Sequence, residues 1–295
     1  MSLQNAVLAT LIYHDIFNFP LTLGEIYSLQ IKTKSTFKKT KNALGELVHR
    51  RLVGEKDGFY YLKGRGKIAN LRLFRKKISD SKFKRALFFA GLLRIVPTLK
   101  LVGISGALAM ENSHKDDDID LVLVTSAGLL WTTRFLANIL LLPFKRDPKG
   151  VKIANKACLN LFLDESALKI SPQNLYIAHE ICQMKPLWDR DGTYRRFIDQ
   201  NSWVKKYLPN WEPEWVVNGK WKMVNGKSKK INSLFTIHNL LIENLLRNFQ
   251  LAYMAKKVTT EKIGDRQLFF HPQNVSGKIL QDYSNRLRKL KITIK

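Results

Sequence analysis

The chain has 295 residues, room for two or three domains, and its 45% hydrophobic and 11% aromatic content supports true cores and excludes a wholly disordered protein. Its 50 Lys and Arg face 24 Asp and Glu, a net charge of +26, so a polyanionic partner such as nucleic acid is expected. Cys158 and Cys182 are the 2 cysteines; they have no paired spacing, suggest neither a disulfide framework nor a structural zinc site, and fit a reducing cytoplasm.

The charge is uneven. Residues 1–100 hold 20 basic and 6 acidic side chains, which marks the N-terminal third as the expected nucleic-acid contact. Met1 to Thr10 has no basic segment leading into an apolar one, so no signal peptide is expected. Over residues 3–17, Ala6, Val7, Leu11, Ile12 and Ile16 have the spacing of an amphipathic helix that Pro20 ends. Thr22 followed three residues on by Glu25 predicts a capping box and a second helix through Leu29. Ser35 is the expected start of a third helix with Phe37, Leu44, Leu47, Val48 and Leu52 as its apolar stripe. Its other face carries Lys34, Lys38, Lys39, Lys41, Arg50 and Arg51, of which Lys38, Lys39 and Lys41 are the candidate DNA contacts.

Val53 to Leu62 reads as two short strands around an Asp57-Gly58 turn. Three helices and a hairpin resemble a winged helix-turn-helix, expected over residues 1–65; such modules either read DNA with the third helix or serve as packing units. Gly66 to Arg94 predicts one long basic helix joining two domains, with Arg72, Arg75, Lys76, Lys77, Lys82, Lys84 and Arg85 on its polar side. The apolar run from Gly128 to Phe144 contains Arg134 and Asn138 and falls short of the ~20 residues that span a bilayer, so it predicts a buried helix and no membrane partner. Beyond Asp164 helices are expected at Leu175 to Met184, Thr193 to Tyr207 and Ile231 to Met254, interrupted by an irregular segment at Pro209, Trp211, Pro213 and Trp215 and a loop over Asn218 to Lys230.

The chemistry is concentrated in Leu101 to Asp164. An apolar strand runs into Ser105, Gly106 and Ala107, where glycine lets backbone approach a phosphate and amides at a helix start can hold its oxygens. Asp118 and Asp120 then enter the apolar strand Leu121 to Val124; two apart on a strand, their carboxylates face one side. Paired carboxylates repel unless a divalent cation lies between them, and hard oxygen ligands suit Mg²⁺, or Mn²⁺. The scattered histidines lack metal spacing, although His114 sits in the loop beside the aspartates.

A glycine turn, ten residues from 108 to 117, and then Asp118-Ile119-Asp120-Leu121 resemble the signature of the DNA polymerase beta superfamily of nucleotidyltransferases. Phe19-Pro20-Leu21-Thr22, Gly58-Phe59-Tyr60, Trp131 with Arg134, Asn201-Ser-Trp203, Leu208-Pro-Asn210 and Phe270-His-Pro272 resemble, more narrowly, bacterial and archaeal nucleotidyltransferase-domain proteins with an N-terminal winged helix and a C-terminal helical region.

The resemblance implies an α+β protein in three parts. These are a winged helix at 1–65, a nucleotidyltransferase-like mixed sheet with flanking helices at 66–170, led by the basic helix, and a helical region at 171–295. It implies Asp118 and Asp120 as catalytic metal ligands, Ser105, Gly106 and Ala107 at the nucleotide, an NTP substrate, Mg²⁺ or Mn²⁺ as cofactor and a cytoplasmic location. Two departures stand out: Ala107 replaces a serine, and Asn160 occupies the expected third carboxylate position. Two readings stay open. The intact Asp-x-Asp favours an enzyme that transfers a nucleoside monophosphate to an unknown acceptor; Ala107 and Asn160 favour a DNA-binding regulator that senses nucleotides on a degenerate transferase fold.

Overall fold

The structure, a computed structural model, describes residues 1–147, 153–213, 224–226, 236–255, 262–270 and 274–292. Trp215, His271, Pro272 and the expected loop at 218–230, apart from 224–226, lie outside them.

The N-terminal unit contains α1 (Leu3–Asp15), α2 (Leu23–Ser28), α3 (Phe37–His49), β1 (Val53–Lys56) and β2 (Phe59–Leu62). Thr22 and Glu25 form both halves of the expected capping box: the Glu25 amide donates to Thr22 Oγ1 at 3.3 Å and the Thr22 amide to Glu25 Oε2 at 2.8 Å. Asp57 and Gly58 have φ of 55° and 78°, the left-handed pair that a two-residue hairpin needs. α3 is capped by Thr36, one residue beyond Ser35, because Thr36 Oγ1 accepts the Lys39 amide while the Ser35 amide donates to Asn210 Oδ1. Phe37 leaves the expected stripe and is 48% exposed; Thr40, Ala43, Leu44 and Leu47 form the buried face. α1 is covered on two sides rather than one. Val7 and Leu11 pack into the N-terminal core, and Ala9, Ile12 and Tyr13 pack into the core under the sheet.

α4 (Lys67–Leu93) is the expected long helix, but its basic residues do not share one solvated side. Arg72, Arg75 and Lys82 are buried, at 7%, 5% and 1% exposure. With Ser79 they fall on one stripe of the helix; the three cations donate to acceptors from the N-terminal unit and from the loop before the aspartates, and Ser79 Oγ accepts the Ser113 amide of that loop.

The centre is a seven-stranded mixed sheet, so the chain is α+β. Its strands are β3 (Leu99–Ile104), β4 (Ile119–Thr125), β5 (Ala157–Asp164), β6 (Lys185–Arg190), β7 (Val224–Gly226), β8 (Lys262–Ile263) and β9 (Gln267–Phe269), in the order β7-β6-β3-β4-β5-β9-β8. β4 with β5 and β6 with β7 are parallel; the other pairs are antiparallel. The expected strand that runs into Ser105 and the expected strand entered by Asp118 and Asp120 are neighbours, β3 and β4. The expectation of a helical region beyond 171 needs correction, since four of the seven strands come from it alongside α7 (Leu175–Gln183), α8 (Thr193–Gln200), α9 (Thr236–Met254) and α10 (Asn274–Lys289). Pro186 would break a helix interior; in β6 it sits where the register with β3 shifts, next to buried Leu187 and Trp188.

One sheet face, including Ile104, Leu121 and Leu123, packs against α4, α6 (Leu130–Leu140) and α9 through Phe89, Leu93, Trp131 and Met254. The other, including Val122, Val124 and Leu163, packs against α1, α7, α8 and α10. Several residues of the narrower resemblance serve this packing. Asn201 Oδ1 accepts the Ile170 amide and Trp203 Nε1–H, and Asn210 Nδ2 donates to the Tyr27 carbonyl. The Trp131 and Thr132 amides donate to Glu243 at 2.6 and 2.8 Å. Among the described residues, no helix is long and apolar enough to cross a membrane.

Candidate metal centre

β3 delivers the chain to Ser105, and a single helical turn, α5 (Gly106–Ala109), carries it away from the sheet. Ile104 pairs with Leu121, and the Ser105 amide continues the ladder by donating to the Asp120 carbonyl at 3.1 Å. Ser105 therefore stands opposite Asp120. Gly106 has φ 63°, and a Cβ there would lie 3.0 Å from Asp120 Oδ2. Both the backbone conformation and the close carboxylate make this a glycine position.

Asp118 lies one residue before β4 and Asp120 inside it, which puts the two carboxylates on the same side as expected. On the far side of Asp120, the parallel ladder pairs it with Cys158. One ligand atom from each of Asp118, Asp120 and Cys158 lies within 4.8 Å of the others, a set able to hold a metal ion. Arg146, whose amide donates to the Ala157 carbonyl at 3.1 Å, reaches Asp118 Oδ2 with its guanidinium at 2.9 Å.

The electrostatics follow from this crowding. Burial first, and the neighbouring Asp120 carboxylate second, raise the Asp118 carboxyl above the usual carboxylate range, against the opposing pull of Arg146. Burial, and then Asp120, push the Cys158 thiol far up, so without a cation it stays protonated and donates to Asp120.

The acidic loop has an internal division of labour. Asp117 Oδ2 accepts the His114 amide at 2.7 Å, and the Asp117 carbonyl accepts Lys82 Nζ at 2.6 Å and the Asn155 amide at 2.9 Å. Asp117 thus shapes the turn that presents Asp118, while Asp116 and the His114 side chain are exposed.

The structure brings together Ser105, Gly106, Asp118 and Asp120, and leaves Ala107 partly exposed at the start of α5. Asn160 is buried at a register shift of β5, where its carbonyl accepts the Phe270 amide, and it is not level with Asp120. Cys158 holds the level position. Sequence reasoning missed it, although Asp120 and Cys158 are each the second residue of adjacent parallel strands, a signal that counting from the strand starts could have found. Arg146 was missed too, coming from a segment with no motif. Ser105 Oγ is buried and has no hydrogen-bond partner among the described residues. Lys38, Lys39 and Lys41 form a separate, exposed surface on α3.

A cleft of about 520 Å³ lined by Ile31, Lys32, Asn174, Tyr207 and Tyr283 lies between α7 and α10 and does not include the carboxylates. In comparisons with protein families, with curated proteins and with solved structures, this chain matches none.

Proposed function

We propose that this chain is a divalent-metal-dependent nucleotidyltransferase of the polymerase beta type, with residues 1–65 as a winged helix that engages nucleic acid. The single observation that carries this reading is the carboxylate pair Asp118 and Asp120 at the mouth of β4, against a glycine turn that leaves no room for a side chain. The donor set suits a cation: two carboxylates held side by side, one of them raised by burial and by its neighbour, lose their mutual repulsion when a positive ion lies between them.

A divalent cation held there would clamp the triphosphate of an NTP and acidify the acceptor hydroxyl, the part that Mg²⁺ or Mn²⁺ plays in the transferases this chain resembles. Asp118 and Asp120 would hold that ion in place. Ser105 Oγ, buried and unsatisfied, is positioned to donate to a phosphate oxygen, and Gly106 lets the backbone come close. The acceptor oxygen bonds to the α-phosphorus as the bond to pyrophosphate breaks, and the acceptor proton leaves to solvent. Positioning and charge supply most of the acceleration in such displacements.

A DNA-binding regulator that senses nucleotides on the same fold is the second reading. It is favoured by Ala107 and by the absence of a carboxylate level with Asp120, where Cys158 stands, or at Asn160. Incubation with each radiolabelled NTP, Mg²⁺ or Mn²⁺, and mixed nucleic-acid and protein acceptors separates the two. The enzyme reading expects a labelled acceptor that disappears in both Asp118→Asn and Asp120→Asn. A silent parent whose Cys158→Asp variant labels an acceptor supports the sensor. Labelling that survives Asp118→Asn overturns the metal-pair mechanism.

A further inference from the structure

We infer that Cys158 is a third ligand of this centre, and that the centre prefers a borderline, thiophilic divalent ion of the zinc class over Mg²⁺. The inference concerns the same carboxylates as the proposed transferase, but it stands on the ligand set alone and is tested without any transfer reaction.

The sheet itself fixes the geometry. Antiparallel pairing places Ser105 beside Asp120 on one side, and parallel pairing places Cys158 beside it on the other, so a row of three side chains crosses β3, β4 and β5 on one face. Asp118 completes the set, all within 4.8 Å for the three ligand atoms of Asp118, Asp120 and Cys158. An ion with ligand distances of about 2.0 to 2.3 Å gathers these atoms through small side-chain movements. Ser105 is an independent sign that the row receives something: it is 7% exposed, stands on the same face opposite Asp120, and its hydroxyl has no hydrogen-bond partner among the described residues, a state that costs free energy unless a ligand or its bound water uses it.

Charge decides which ion. Asp118, Asp120 and a Cys158 thiolate carry three negative charges. A divalent ion and the Arg146 guanidinium, 2.9 Å from Asp118, carry three positive ones, and the partly buried cluster is neutral. With a hard ion that leaves the thiol protonated, two carboxylates face the same three positive charges, and one is left uncompensated beside the core. Mg²⁺ also demands an oxygen shell that a sulfur cannot complete, whereas zinc-class ions accept thiolate and carboxylate together. On binding, the thiol proton passes to solvent and the sulfur bonds to the ion.

The test uses the full chain stripped with EDTA and titrated with Co²⁺ as a spectroscopic stand-in for Zn²⁺. A thiolate-to-cobalt charge-transfer band that saturates at one equivalent is expected. Zn²⁺ should abolish it, and a large excess of Mg²⁺ should leave it. Cys158→Ser should remove the band and weaken Zn²⁺ binding by about tenfold or more, while Cys182→Ser, which changes the other, partly buried cysteine, should keep both. Circular dichroism of Cys158→Ser matching the parent shows that the loss is local; if that variant unfolds, the parent band and its survival in Cys182→Ser decide the matter. Cobalt binding without the band, displacement of Co²⁺ by Mg²⁺ as readily as by Zn²⁺, or Zn²⁺ binding unchanged in Cys158→Ser overturns the inference and leaves Cys158 as a hydrogen-bond donor to Asp120.

Discussion

α3 and α4 are both rich in positive charge, and they use it in opposite ways. Lys38, Lys39 and Lys41 of α3 are exposed, with nothing in the fold to gain from their charge. On α4, the Arg72 guanidinium donates to the Pro20 carbonyl and Glu25 at 2.8 and 2.6 Å and lies 3.6 Å over the Phe19 ring. Arg75 bonds to the Phe17 carbonyl and Asn112, and Lys82 Nζ donates to the carbonyls of Lys115 and Asp117 and to Asn155 Oδ1. Net charge alone therefore overstates the surface available to a polyanion. Part of it is consumed inside, fastening the N-terminal unit and the acidic loop to one helix.

The comparison breaks first at Lys82. Lys82→Met keeps the length of the side chain but strands three partly buried acceptors, two of them carbonyls of the loop that presents Asp118. We expect a loss of about 4 kcal/mol in urea unfolding, since each of the three acceptors left without a donor costs roughly 1 to 3 kcal/mol. A loss below about 0.5 kcal/mol, the usual size of a surface change, would mean that this cation is as dispensable as those of α3.

Buried basic groups that stay neutral sharpen the same contrast. His14 on α1 and His179 on α7 are both fully enclosed, with ring centroids 5.1 Å apart, and each Nδ1 bonds to a carbonyl four residues back, Thr10 and Leu175. Burial lowers His14 to about 4, with the Thr10 bond and Glu25 opposing and Arg72 assisting; burial and then His14 lower His179 well below its usual value. The folded state thus binds fewer protons than the unfolded one between about 4 and the ordinary histidine value near 6.5. Stability is whole above that window and falls as the pH drops through it. His14 alone accounts for about 3 kcal/mol of the fall. His14→Phe removes that share and, because His14 Nε2 is buried without a partner, holds or raises stability at pH 7. Denaturation curves at pH 7, 6, 5 and 4 check it; equal acid sensitivity in parent and variant would refute the assignment.

What the sequence shows and what it hides divides along similar lines. The capping box at Thr22 and Glu25, the Asp57-Gly58 turn and the strand, glycine turn and Asp-x-Asp of the centre are short-range signals, each set by residues within a few positions of one another. Cys158 belongs to a strand more than thirty residues from that of Asp120 and pairs with it when both strands are counted from their starts, but a shift at Asn160 makes counting from the middle of β5 fail. Arg146 arrives from a loop. β6 was hidden because a proline and two large apolar residues resemble a break between helices. Arg72, Arg75 and Lys82 looked like a solvated face, because helical spacing says which residues share a stripe but not what that stripe meets.

The smallest effect on the fold is expected where the functional effect should be clear, on α3. Changing Lys38, Lys39 and Lys41 together to Glu removes no described hydrogen bond of those side chains, and the Thr36 cap uses the Lys39 amide, which remains. Lys38 and Lys39 fall in the first turn, where negative side chains suit the helix dipole, so unfolding should shift by no more than about 0.5 kcal/mol. Duplex DNA binding, followed by fluorescence anisotropy at several KCl concentrations, should weaken strongly. The slope of log affinity against log salt should also become shallower by about 2 to 3, since each lost lysine–phosphate contact removes roughly 0.9. A triple variant with the parent's affinity and slope would show that α3 does not touch DNA. In that case the surplus charge acts through the exposed cations of α4, Lys67, Lys77, Lys84 and Arg85, or through none of them.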